Sequence, residues 1–94
     1  MWFEWDLGKA RRNWHKHRVA FNEAVTVFGD PLALTFDDIT QSSLEARYLT
    51  FGLSIEGRAL VVVHTSRGDT IRIISARLMT PRERRDYEQH QQRR

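Results

Sequence analysis

Residues 70–87 read TIRIISARLMTPRERRDY and set down a strand, a turn and a helix start in succession. The β-branched run Ile71, Ile73 and Ile74 predicts a strand reaching Leu78. Arg72 and Arg77 interrupt it. A guanidinium buried without a partner is costly, so each arginine must reach a sheet edge, a carboxylate or an anionic ligand. Thr80, Pro81 and Glu83 then spell a capping box: the threonine hydroxyl meets the third helical amide, proline takes the tolerated first position, and glutamate reaches back to the cap. The chain therefore turns at residues 78–79, and a helix runs over residues 81–92. Tyr87 is its only sizeable apolar residue. Core burial is not expected to hold such a helix, which should project, dock on a partner or fray.

Working back from this stretch, Arg67, Gly68 and Asp69 make a turn into a nearly all-apolar run over residues 59–65, the mark of a central strand. Glu56 and Gly57 form another hairpin turn, preceded by alternation of Leu49, Phe51 and Leu53 with Tyr48, Thr50 and Ser54 from Arg47 onward. Residues 38–43 are polar and turn-like, and Leu32, Leu34 and Phe36 alternate before them. Short turns imply an antiparallel meander. Upstream, residues 20–28 place Phe21, Ala24, Val25 and Phe28 on one helical stripe, stopped by Gly29, Asp30 and Pro31. Asp6 suits an N-cap for a helix over residues 7–17, with Leu7, Ala10, Trp14 and His17 on one stripe and Lys9, Arg12 and Lys16 on another. Residues 2–5 read as a short strand at the edge or start of the sheet. The expected fold is α+β: a small antiparallel sheet with an N-terminal helical hairpin and a C-terminal helix.

At 94 residues the chain is expected to form one domain, residues 1–94. It contains no cysteine, which removes disulfide frameworks and thiolate metal sites and fits a reducing cytoplasm. No window approaches the roughly 20 apolar residues of a membrane span, and the first residues carry no signal-length apolar run. A soluble, unprocessed, cytoplasmic protein with no membrane partner is expected. The net charge of +3 is unevenly placed. Lys9, Arg11, Arg12, Lys16 and Arg18 crowd residues 9–18 with no acid, while residues 19–66 hold only Arg47 and Arg58 against six acidic residues. Clustered positive charge suits a polyanion or an acidic protein, and solvated helix faces are the plainer alternative.

The five glycines stand singly at turns, so no nucleotide-binding loop is present and no cofactor is expected. His15 and His17 do not share a helix face and have no nearby acid, so no metal site is expected either. No cysteine nucleophile exists, and Ser75 has no base evident in the sequence. What remains is arginine, lysine and histidine on a small sheet, a set suited to a phosphodiester. Guanidiniums neutralise the phosphate, and a His or Lys moves protons. RNA supplies its own nucleophile in the 2′-hydroxyl, so cleavage needs no metal ligands.

The strings FEWD, KARRNWHKHRVAFNEAVTVFGDP, EARYLTFG, RALVVVH and IRIISARLMTPRERRDYE, in this order over almost the whole chain, resemble the BrnT family of bacterial toxins. The resemblance implies a RelE-like fold and a ribonuclease activity that halts translation. It also implies neutralisation by a BrnA-like antitoxin, through which alone the complex binds operator DNA. The family's polar signature falls on Asn13, Lys16, His17, Arg47, Arg72 and Arg77. Two departures stand out: Arg18 occupies a position where the family usually has glycine, and Ala20 one where it has serine or threonine. Ala20 removes a helix cap worth about 1 kcal/mol, and Arg18 needs a positive φ if the turn is kept.

The residues assigned to catalysis are Arg77, with Arg47 beside it, and His17 or Lys16 as proton carrier. Lys9, Arg12 and Arg72 are assigned to RNA binding. Alternatives stand beside each. Arg77 could instead pair with Glu45 or Glu83, Arg47 could pair with Glu45, His17 could serve the helix terminus, and His64 could be a satisfied or exposed strand residue. Two other functions fit the same pattern: a toxin of similar fold that poisons a protein such as a topoisomerase, and a non-catalytic module that binds nucleic acid or antitoxin.

Overall fold

The structure, a computed structural model, describes residues 1–39 and 45–92. In chain order the elements are strand β1 (Trp2–Glu4), helix α1 (Leu7–His17), helix α2 (Phe21–Thr26) continued by a 3-10 turn (Val27–Gly29), strands β2 (Leu34–Asp37), β3 (Tyr48–Leu53), β4 (Ala59–Arg67) and β5 (Thr70–Leu78), and helix α3 (Pro81–Gln92). The polar turn expected over residues 38–43 lies, from Thr40 on, outside the described residues. Among the described residues no helix is long and apolar enough to cross a membrane.

The strands form one sheet in the order β1-β5-β4-β3-β2. Strands β2 to β5 are the expected antiparallel meander. β1 corrects the all-antiparallel expectation, because it pairs with β5 in parallel through Trp2↔Thr70, Phe3↔Ile71 and Glu4↔Arg72. Turn lengths dictate direction only between consecutive strands, and β1 is separated from β5 by most of the chain.

The register between β4 and β5 shifts once: Val63 pairs with Ser75 but His64 with Ile73, so Ile74 is extra. The bulge reverses the alternation of β5. Ile73 and Ala76 therefore enter the same core as Leu60 and Val62 of β4, together with Val19, Phe21, Ala24 and Val27. It also brings Arg72 and Arg77 to one face. Their partners, Thr65 and Val61, stand four residues apart on β4, opposite the core face, although five residues separate the arginines on β5.

β1 is only three residues long, so it covers only the first part of β5's outer edge. Beyond it, α1 takes over. The buried Asn13 side chain donates to the Ala76 carbonyl (2.8 Å), accepts from the Ala76 amide (3.0 Å) and donates to the Val19 carbonyl (2.9 Å). One side-chain amide thus replaces one residue of a neighbouring strand. Both α1 and α2 pack on β5, and their main contacts are with the sheet rather than with each other, which corrects the expected helical hairpin. Their connection runs through Arg18, at φ 56°, whose amide closes α1 on the Trp14 carbonyl (2.9 Å). Ala20 occupies the N-cap of α2 with no side-chain cap bond.

Two polar devices hold the second helix. Buried Glu23 pairs with Arg58 on the β3–β4 hairpin and accepts from the Ser54 hydroxyl at 2.7 Å; Arg58 also reaches the Arg18 carbonyl at 3.1 Å. Arg58 and Ser54 hold the Glu23 carboxyl down at about 2 against the opposing effect of burial. The 3-10 turn sits so close to β3 that a Cβ on Gly52 would stand 2.9 Å from Val27 Cγ1, which is why glycine interrupts that strand.

α3 lies across the other face, contrary to the expectation that it projects or frays. Tyr87 is only 8% exposed and donates from its hydroxyl to Asp30 Oδ2 at 3.0 Å, and Gln91 donates to the Leu32 carbonyl at 2.8 Å. Asp30 also receives the amides of Leu32 and Leu53. Polar anchors on one loop, plus a single ring, do what an apolar stripe does elsewhere.

Candidate nucleic-acid interface

Because Asn13 fixes α1 along the edge of β5, the adjacent cationic stripe stands over the bulge. Lys9, Arg12, Lys16 and His17 line an open groove of about 420 Å³ with Ile74 and Ser75. At one end Asp6 caps α1, accepting from the Lys9 amide at 2.9 Å. That bond, together with the charges of Arg12 and Arg72, holds its carboxyl below the usual range, although desolvation opposes them. Arg72 therefore extends the basic band beyond α1, and it also lies 3.6 Å from Glu4.

At the other end, partial burial lowers the His17 pKa, helped by the positive charges of Lys16 and Arg77. That direction favours the neutral imidazole, the form able to accept a proton. Arg77, on the neighbouring strand end, is engaged by Glu83 through Nη1–Oε1 (2.7 Å) and Nη2–Oε2 (2.9 Å). Glu83 is one of the two carboxylates anticipated for it. The pair raises the arginine pKa and holds Glu83 at about 2.

The structure groups Lys9, Arg12, Lys16 and His17, with Arg77 and Arg72 at the two ends, but it does not put Arg47 beside Arg77. Arg47 immediately precedes Tyr48, the partner of His64, whereas Arg77 pairs with Val61, the partner of Phe51. Four residues of β3 separate the two rows, about 13 Å. Arg47 instead neighbours the Arg72 row, where the Thr65 hydroxyl binds the Ala46 carbonyl at 2.7 Å. Glu45 pairs with Arg67. His64 lies outside the groove, buried between Phe28 and Tyr48 with Nε2 on the Thr50 hydroxyl at 2.7 Å.

The resemblance singled out Asn13 but not its role as the edge clamp, and the sequence reading gave no part to Ser75 as a groove wall or to the bulge at Ile74. A sequence model described as the ribonuclease toxin BrnT of type II toxin-antitoxin systems matches residues 5–83. The chain belongs to the BrnT family. That family is one of ribonuclease toxins, and a type II system implies an antitoxin partner. The fold is similar to the crystal structure of the Brucella abortus ribonuclease toxin BrnT, with a TM-score of 0.66 and 20% identity over 85% of this chain and 97% of that one. No curated protein matches the chain significantly. The BrnT match begins before α1 and ends at Glu83, so it spans the whole basic groove and the Arg77 ion pair.

Proposed function

We propose that this single-domain chain is a metal-independent endoribonuclease that halts translation in the cytoplasm, built on a RelE-like arrangement of helices and sheet. Its partner is a BrnA-like antitoxin, through which the complex meets operator DNA. The observation that carries the reading is the groove in which Lys9, Arg12 and Lys16 stand beside a neutral His17, with Arg77 at its end. Lys9 and Arg12 hold RNA phosphates, and Arg72, with Arg47 in its row, continues the track.

At the scissile step His17 removes the proton of the 2′-hydroxyl. The 2′-oxygen forms a bond to the adjacent phosphorus, and the bond from phosphorus to the 5′-oxygen breaks. Arg77 stabilises the charge that builds on the phosphate oxygens, and Lys16 gives a proton to the departing 5′-oxygen. The products are a 2′,3′-cyclic phosphate and a 5′-hydroxyl. The test is to incubate the purified protein with RNA in excess EDTA and analyse the new ends. Cyclic phosphates are expected; intact RNA, activity restored only by added metal, or 5′-phosphate ends overturn the reading.

A further inference from the structure

The face of the sheet opposite the main core is only partly covered. α3 crosses it and leaves a second groove of about 430 Å³, with Leu34 and Phe36 of β2 and Leu49 and Phe51 of β3 as its floor and Tyr87 in its α3 wall. The floor is predominantly apolar. Phe36, packed edge-on against Phe51 with ring centroids 5.8 Å apart, remains 53% exposed. Solvent-facing apolar surface of this kind, set in a concavity, marks a place where another surface sits.

The electrostatics of the wall select the occupant. Glu83 and Asp86 are its charged acids. Glu83 is consumed by Arg77 and by the Thr80 amide. Asp86 has neither an ion pair nor a hydrogen bond among the described residues, and it shares the groove wall with the imidazole of His90 one helical turn away. Carboxylates above an apolar floor repel a phosphate backbone, and they stand on a different part of the sheet from the cationic stripe of α1. The complementary chemistry is apolar side chains flanked by a lysine or arginine.

We propose that this groove is the docking site of the antitoxin, which inserts an apolar segment carrying a cation opposite Asp86. The proposal rests on family membership for the existence of an antitoxin and on the groove for its place. It also gives Glu83 a second role. The carboxylate that holds Arg77 lines the docking groove, so a bound segment touches the support of the residue assigned to the phosphate.

The experiment uses the full chain and the antitoxin encoded with it, co-expressed, separated and titrated by calorimetry. Phe36→Ala and Asp86→Lys are each expected to weaken antitoxin binding by about tenfold or more. Both side chains lie outside the RNA groove, so RNA cleavage by the isolated variants is expected to be unchanged; Phe36→Ala should melt slightly lower through its lost contact with Phe51, whereas Asp86→Lys, which removes no packing, should remain folded. Reversing one antitoxin lysine or arginine to glutamate should restore binding to Asp86→Lys, which a general loss of structure cannot produce. Wild-type antitoxin affinity in both variants overturns the proposal. So does a change in RNA affinity alone, or a chain that self-associates through Phe36 with antitoxin binding unaffected. Binding is read without reference to RNA cleavage, so a protein inactive on RNA leaves this test intact.

Discussion

Arg77 and Glu83 close a two-pronged ion pair across the turn between β5 and α3, and the same carboxylate accepts the Thr80 amide at 2.8 Å to complete the helix cap. A guanidinium held through Nη1 and Nη2 is preorganised and loses little freedom when a phosphate arrives at its Nε side. The salt bridge anticipated as the alternative to a phosphate clamp is the arrangement the structure shows, and the proposed role at the phosphate falls to the guanidinium hydrogens that Glu83 and the Leu78 carbonyl leave free.

Arg77→Ala is expected to slow RNA cleavage by about 10² to 10³, the usual loss for one preorganised charge, equivalent to roughly 3 to 4 kcal/mol. Arg77→Lys should be nearly as slow, because lysine keeps the charge but not the planar set of donors that can hold Glu83 and a phosphate at once. Glu83→Gln separates chemistry from folding. It weakens the ion pair and the cap, so melting temperature should fall, while the guanidinium remains for the phosphate. Cleavage by folded Arg77→Ala at the wild-type rate reduces Arg77 to an anchor for α3.

Acid should weaken the fold in two stages. His64 is 5% exposed, its Nδ1 has no partner, and burial pushes its pKa to about 4 from an ordinary 6.5. The unfolded chain therefore binds this proton first, and stability falls as pH drops from 6.5 towards 4, by about 3 kcal/mol in all. Below about 4.5 the carboxyls of Glu23 and Glu83, each held at about 2, add a second loss as they are protonated. Denaturant melts of His64→Gln between pH 7 and 4 provide the check. The variant should lose the first stage, and an unaltered slope assigns it to other groups.

Arg18 sits at φ 56°, where a Cβ is strained by about 1 kcal/mol or more. Arg18→Gly relieves that strain and keeps the backbone carbonyl that Arg58 binds, but it loses the guanidinium stacked 5.6 Å from the Trp14 ring centre. Relief of strain should exceed this exposed contact, giving a net rise of a few degrees in melting temperature. A variant that melts lower than the parent shows that the Trp14 contact is the stronger term.

The strained Arg18 and the uncapped Ala20 were expected only from the resemblance, as departures from the glycine and the serine or threonine that the family usually carries there. The strands from Tyr48 to Leu78 and the Thr80–Glu83 cap were legible in the residues themselves, because alternation, turn chemistry and capping rules act over a few residues. What escaped depends on residues distant in sequence. The direction of β1 is settled by Phe3 finding Ile71. The extra residue at Ile74, which puts Arg72 and Arg77 on one face, shows only against β4. α3 looked unanchored because its attachments are a phenol and an amide reaching Asp30 and Leu32, contacts that hydrophobic periodicity does not register. The site was legible as a set of residue types, whereas Arg47 was misplaced because nothing local encodes which row of the sheet it joins.

Asn13 should prove to be the residue that makes α1 part of the site. Removing its side chain in Asn13→Ala strips partners from the Ala76 amide, the Ala76 carbonyl and the Val19 carbonyl, all of which it now satisfies. A buried polar group left unpaired costs about 1 to 3 kcal/mol, so a loss of roughly 3 kcal/mol or more is expected, a fall in melting temperature of more than about 12 °C. Asn13→Asp should be no better, since a buried carboxylate cannot donate to two carbonyls. The distinguishing measurement is hydrogen exchange at the Ala76 amide. Its protection depends on Asn13, whereas amides in the part of the edge paired with β1 do not, so exchange should accelerate at Ala76 first. Cleavage by the remaining folded protein should fall as well, because Lys16 and His17 lose their fixed distance from β5. A protected Ala76 amide in Asn13→Ala, with unchanged melting, means that α1 is held by its apolar contacts alone and the clamp is incidental.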